Sequence, residues 1–317
     1  MSRAGRYLYA ALIALCSAGC AASPRSLGSF AELSYDGYHG ERSVRSRRAR
    51  ADVVMAELGP ADATETPIVL LHPWGTNMLI WRSVAPALAL DRRVLLVDLP
   101  GHGKSSKPPG RYPPKRLAGG VLDAMDAAGI DRAIIAGNSL GGATAIALAL
   151  EAPERVRALI LIGSPGGARV PDALQTLVKG AASPTHIAGI SDEVLGFGWL
   201  VVARGASPLA TKMLDDLYSV RDGRDWAAWS HSTSSALREV LTWSPPLARI
   251  SAPALVVQGT EDIVVWPSRG ADLAAGLPAG RYSPIDGCGH MPEVECPEEL
   301  LLRASEFIRS LPADPAR

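Results

Sequence analysis

A serine hydroxyl is a useful nucleophile only where it is held clear of its neighbours, and Ser139 occupies such a position. It stands between Gly137 and Gly141 in GNSLGG, which fits GxSxG. Glycines on both sides let the backbone turn sharply without side-chain clash and lift the hydroxyl away from the chain. The helix expected after it starts with N–H groups that lack intrahelical partners. The N–H of Leu140 can therefore point at an oxygen that turns negative when Ser139 attacks a carbonyl. Any Gly-rich turn can contain a serine, so the motif takes its meaning from its setting between a strand and a helix.

Two other clusters tempt a chemical reading. GHGKS, Gly101 to Ser105, resembles part of a phosphate loop, but GxxxxGK[ST] requires glycine where Asp98 stands. Cys288, His290 and Cys296 carry zinc-ligand chemistry, yet no fourth ligand follows at a recognisable spacing. The two cysteines could instead close a disulfide around His290 or remain free thiols.

The elements that must position Ser139 are legible as apolar runs. Arg132 to Ala136 predicts a short strand running into Gly137, and Leu140 to Leu150, rich in Ala and Leu, predicts the helix. Asp52 to Leu58 also reads as a strand. Pro67 to Leu71 ends at HPWG, Arg92 to Val97 at DLPGHGKS, and Val156 to Ile162 at GSPGG. Such continuous runs suit strands buried on both faces of a parallel sheet. Pro113 to Ala128 predicts a helix between them, Ala254 to Gln258 and Arg281 to Ile285 predict further strands, and Pro297 to Leu311 a closing helix. The alternation argues an α/β class, a doubly wound, mostly parallel sheet with its chemistry at the carboxyl ends of the strands. From Ala168 to about Leu247 the alternation stops, and a helix-leaning stretch carries Trp199, Trp226, Trp229 and Trp243. We read residues 51–167 and 246–312 as the core and 168–245 as a helical cap insertion. The tryptophans either line an apolar acyl pocket or are plain core.

The beginning of the chain has its own logic. Arg3 and Arg6 precede an apolar run, Tyr7 to Cys16, and small residues follow to Ala22. The run falls short of the roughly 20 residues that span a bilayer, so residues 1–22 read as an export signal. SAGC, Ser17 to Cys20, resembles the lipobox of bacterial lipoproteins, which implies a lipidated Cys20 as the mature N-terminus. Ser17 stands where that family usually has Leu, and ordinary cleavage, for example after Ala22, is the alternative. Export from a bacterial cytoplasm is thus expected, to a periplasmic or membrane-anchored state. Loss of Cys16 and lipidation of Cys20 would leave Cys288 and Cys296 as a pair in an oxidising compartment. Residues 23–50 read as a polar linker ending in Arg42, Arg45, Arg47, Arg48 and Arg50. The cluster is either a contact for anionic lipid or, as favoured here, a solvated linker or edge strand.

Totals bound the remainder. With 317 residues the chain suits one large domain or a domain with an insertion. Its 32 basic and 32 acidic residues leave no net charge to attract nucleic acid.

Taken together, LLHPWG, DLPGHGKS, GNSLGG, VVQGTED and DGCGHMPEVECPEEL resemble the α/β-hydrolase superfamily, in its order, over Asp52 to Gly167 and Pro245 to Leu311. The resemblance implies Ser139 as nucleophile, Asp262 as acid and His290 as base. Glu261, Asp286 or an acid after the Val156 to Ile162 strand are alternatives for the acid. It also implies an oxyanion hole from the backbone N–H groups of Trp74 and Leu140. Pro73 replaces the usual glycine after His72; it loses its own N–H, but the implied donor is the next residue. His72, His102 and Asp98 are expected to fix loops. The implied activity is hydrolysis of carboxylic esters through an acyl-enzyme, without cofactor or metal; the tryptophan-bearing cap and the expected export point to a small-molecule substrate, an aryl or medium-chain acyl ester. Serine at the elbow argues against dehalogenases and epoxide hydrolases of this fold, which use aspartate there. Diketone carbon–carbon cleavage, perhydrolysis, and peptide or lactone hydrolysis stay open, as does a non-catalytic, membrane-tethered binding protein on the same scaffold.

Overall fold

The structure is a computed structural model that describes residues 27–312, apart from 39, 167–174, 177–179, 181, 191, 205–206 and 222. The expected export signal, residues 1–22 with Cys20, lies outside the described residues, as do parts of the expected cap.

Short apolar segments form the centre. Strands β3 (Ile68–Leu71), β4 (Val94–Val97), β5 (Ala133–Asn138), β6 (Val156–Ile162) and β7 (Ala254–Gly259) are buried at every position. Together with β1 (Arg42–Ser46), β2 (Ala51–Leu58) and β8 (Gly280–Ile285) they make one sheet in the order β1-β2-β4-β3-β5-β6-β7-β8. The two pairings of β2 are antiparallel and all others parallel. Because side chains alternate across a strand, Ile68, Leu70, Leu96, Ile134 and Ile160 feed one core, while Val69, Leu71, Leu95, Ile135 and Leu161 feed the other. Helices α1 (Pro114–Ala127) and α2 (Leu140–Glu151) cover the second face.

The chain moves from β3 outward to β4, then returns to the other flank of β3 as β5. At such a reversal the loops after the two strands part, and a crevice opens at their carboxyl ends. The loops beginning at His72 and Ser139 meet there.

Between β6 and β7 the described residues form α3 (Pro184–Ala188), α4 (Asp192–Val202), α5 (Pro208–Val220) and α6 (Trp226–Thr242). Three further helices, α7 (Pro267–Gly276), α8 (Pro292–Glu295) and α9 (Pro297–Ser310), follow β7 and β8. Of the cap tryptophans, Trp226 and Trp229 are core: they stack with ring centroids 4.7 Å apart, and Phe30 stacks on Trp229 at 5.7 Å. Trp199 is half-buried, its indole N–H given to the Ala210 carbonyl, and Trp243 packs against the second core.

The linker reading of residues 23–50 is corrected from Leu27 onward. Phe30, Leu33, Tyr35 and Tyr38 are buried in the first core. The backbone of Leu27 donates to Ser219 on α5 at 2.7 Å, and Arg224 donates to Gly28 at 3.0 Å, so the segment straps the cap to the sheet. Arg42 to Ser46 is an edge strand whose charges are paired, Arg42 with Glu57 and Arg45 with Asp52. Arg48 pairs with Asp123 and Asp126 on α1.

Candidate active site

The corner at Ser139 is built by steric exclusion. Ser139 has φ +50 and ψ −112, a left-handed backbone that a side chain occupies at a cost of about 1–3 kcal/mol. Its N–H donates to the Ile162 carbonyl at 2.8 Å, which pins the corner to the end of β6. A Cβ on Gly137 would strike the backbone of Gly141 and Gly142, and one on Gly141 would strike the carbonyls of Leu71 and His72. The start of α2 therefore presses on the end of β3. Leu140 opens α2, so the helix itself leaves its N–H without a carbonyl partner. Trp74 lies in the loop pressed against Gly141, anchored by its indole N–H to the Thr233 carbonyl at 2.7 Å.

Asp262 and His290 meet at the ends of β7 and β8. His290 Nδ1 lies 2.8 Å from Asp262 Oδ2, both residues being buried. Gln258 Nε2 also donates to that oxygen, at 2.7 Å, and the N–H groups of Val264 and Val265 donate to Oδ1 at 2.8 and 2.9 Å. An acceptor so surrounded cannot turn, so His290 gives it the Nδ1 proton and keeps a lone pair on Nε2. Glu261, the neighbouring alternative, is instead paired with Arg204.

Further contacts bring His290 to the serine corner. Asn138, the residue before Ser139, donates its side-chain N–H to the His290 carbonyl at 2.9 Å. Gly163, one residue past the carbonyl that holds Ser139, has φ +48, and a Cβ there would come within 3.2 Å of His290 Nδ1 and 3.3 Å of Asp262 Oδ2. On the far side, the Glu295 carboxylate accepts the N–H groups of Gly289 and Met291, at 2.9 Å each. Cys288 and Cys296 are joined as a disulfide with Cα atoms 6.2 Å apart, closing the segment around His290. Both thiols are thereby removed from the zinc reading, and the described residues contain no group of three or more His, Cys, Asp or Glu able to hold a metal. Asn138, Gln258 and Glu295 lie inside the motifs quoted above, but only the fold shows which atoms they serve.

His72, His102 and Asp98 are buried and serve the loops. His72 Nε2 accepts the Leu99 N–H at 3.0 Å and Nδ1 lies 2.8 Å from the Pro73 carbonyl; burial lowers its pKa to about 4, so the ring is neutral. His102 is held to about 3, by burial first and then by His72. Asp98 accepts Tyr35 Oη at 2.7 Å, Met78 N–H at 2.8 Å and Lys104 N–H at 2.7 Å. Burial raises its pKa to about 6, against the pull of these donors. One carboxylate thus ties the N-terminal strap, the loop after β3 and the turn after β4 together.

The chain is similar to known proteins. A family model described as the alpha/beta hydrolase fold matches residues 66–197. A 2-hydroxy-6-oxononadienedioate/2-hydroxy-6-oxononatrienedioate hydrolase of Cupriavidus pinatubonensis is 32% identical over 247 residues, 72% of this chain and 81% of the relative. The chain belongs to the α/β hydrolases. This α/β hydrolase is also 30% identical to the dihydrolipoyllysine-residue acetyltransferase component of the acetoin cleaving system of Pseudomonas putida, over 77% of the chain but only 64% of that longer protein. Among solved structures, an esterase from a Rhodococcus species is 27% identical with a TM-score of 0.68, covering 86% of this chain and 99% of the esterase.

Proposed function

We propose that this α/β hydrolase cleaves small-molecule carboxylic esters with apolar acyl or aryl groups through an acyl-enzyme. The observation that carries the reading is the convergence of a serine at a forced corner with a histidine whose Nδ1 is spent on a fixed carboxylate. His290 Nε2 takes the Ser139 hydroxyl proton as Oγ attacks the ester carbonyl. Asp262 keeps the tautomer and stabilises the imidazolium that forms. The tetrahedral oxyanion sits between the backbone N–H groups of Leu140 and Trp74, where one donor is typically worth about 3 kcal/mol. As the intermediate collapses, His290 gives its proton to the leaving alcohol. Water then attacks the acyl-enzyme by the same route, freeing the acid and restoring Ser139. No step needs a metal or cofactor.

The test is turnover of p-nitrophenyl esters from acetyl to long acyl chains, with Ser139→Ala alongside. Turnover that peaks at one chain length and vanishes in the variant supports the reading; equal inertness of both proteins overturns it. A second reading, cleavage of a carbon–carbon bond next to a ketone, is favoured by the Cupriavidus relative, whose name makes it a hydrolase of 2-hydroxy-6-oxononadienedioate and 2-hydroxy-6-oxononatrienedioate. The same serine would serve, and activity on such a ketone in excess of every ester would decide for it.

We also propose export to an oxidising compartment, with Cys20 as the lipid-bearing residue. The disulfide between Cys288 and Cys296 supports the compartment, since cytosolic thiols are kept reduced. Mass spectrometry of the native N-terminus tests the anchor: an unmodified mature chain starting beyond Cys20 would rule it out.

A further inference from the structure

Arg204 lies two residues beyond the end of α4, on the cap, with φ +49. Among the described residues, the only other non-glycine positions with positive φ are Arg50 and Ser139. A side chain stays in that region only where its surroundings over-determine it. Here the surroundings include the two loops that carry Asp262 and His290. Nη1 of Arg204 donates to the Gly287 carbonyl at 2.6 Å, and Nη2 pairs with the Glu261 carboxylate. A Cβ on Gly289 would fall on the Arg204 Cδ, so the side-chain stem lies against that backbone. Glu261 immediately precedes Asp262, and Gly289 immediately precedes His290. The two loops also touch each other, through the Glu261 N–H to the Cys288 carbonyl at 2.9 Å. The positive charge reaches Glu295 as well, partly offsetting the burial that raises the pKa of that carboxyl.

We propose that Arg204 is a positioning residue: through it the seated cap holds the Asp262 loop and the His290 loop in register. The proposal rests on the serine hydrolase reading. A guanidinium suits the task because its planar fork reaches a carbonyl on one loop and a carboxylate on the other at once, whereas an ammonium is a single point charge. Loss of the guanidinium removes both contacts together, so the two loops lose the tie that links each of them to the cap.

The experiment compares the full chain with Arg204→Gln, Arg204→Lys and Glu261→Gln. It measures the rate of labelling by a fluorophosphonate, ester kcat and KM, and the thermal midpoint. Arg204→Gln is expected to label on the order of 10–100-fold more slowly, as for a small misplacement of reacting groups. Its kcat falls in step while KM changes less than about threefold, and Arg204→Lys recovers part of the rate. A residue with only a structural role would lower the midpoint and leave the labelling rate of the folded protein unchanged. Glu261→Gln cuts the ion pair from the other side; it should slow labelling too, and the double variant should be less slow than the product of the single effects. A wild-type labelling rate in folded Arg204→Gln overturns the proposal. If that variant does not fold, a wild-type rate in Glu261→Gln overturns it equally. Failure of the wild-type chain itself to label would instead remove the serine nucleophile, and this inference with it.

Discussion

Glu293, three residues beyond His290 on α8, is fully buried, and among the described residues neither carboxylate oxygen has a hydrogen-bond partner beyond its own residue. Burial raises its pKa from 4.5 to about 8, with the Glu295 carboxylate adding to the effect and its own backbone N–H opposing it. The native protein therefore keeps a proton that the unfolded chain has lost above about pH 4.5. Stability from this group is fully present below 4.5 and is lost as pH rises through about 8. The gap between the two pKa values is worth about 5 kcal/mol in all, and the interval from pH 5 to pH 7 about 3 kcal/mol of it. Glu293→Gln keeps the shape and has no proton to lose. Urea unfolding of both proteins at pH 5, 7 and 9 should show the glutamine variant gaining on wild type by about 3 kcal/mol from pH 5 to 7, and further by pH 9. A difference that stays constant or shrinks as pH rises would refute an unpaired, neutral carboxyl at this position.

Two other expectations follow from contacts around the site. Replacing both Cys288 and Cys296 with serine opens a segment of sequence separation 8, and chain entropy puts the loss at about 2–3 kcal/mol. The same fall in the urea midpoint should appear when wild type is treated with a strong reductant, and no fall would mean that the thiols are free. Tyr35→Phe removes one of three donors to buried Asp98 and should cost about 1–3 kcal/mol by chemical denaturation. An unchanged midpoint would show that the strap is not held through this hydroxyl.

The centre of the fold is written in short apolar runs, and β3 to β7 follow them within a residue or two because burial on both faces leaves little room for polar residues. Ser139 was equally legible, since its glycines and the strand and helix around it are all local. The strap was not. Phe30, Leu33, Tyr35 and Tyr38 have no strand or helix period, and their burial depends on Asp98 and on Trp229 some two hundred residues later. The acid was ambiguous for a similar reason: Glu261 and Asp262 are adjacent, and only the placement of Gln258 and of the loop that follows decides which one faces His290. The cap hid most, because Trp226 and Trp229 have the composition of a pocket lining but stack on each other and on Phe30. Nothing local in PEVE marks Glu293 as buried; its burial comes from α8 packing on the turn Met78–Ser83.

In the proposed mechanism Ser139 carries the acyl group. Acid-quenching the protein during turnover of a p-nitrophenyl ester and mapping the adduct by peptide mass tests it most directly. Acyl mass is expected on the peptide containing Ser139 and is lost in Ser139→Ala; steady turnover with the acyl group on another residue would rule out Ser139 as the nucleophile.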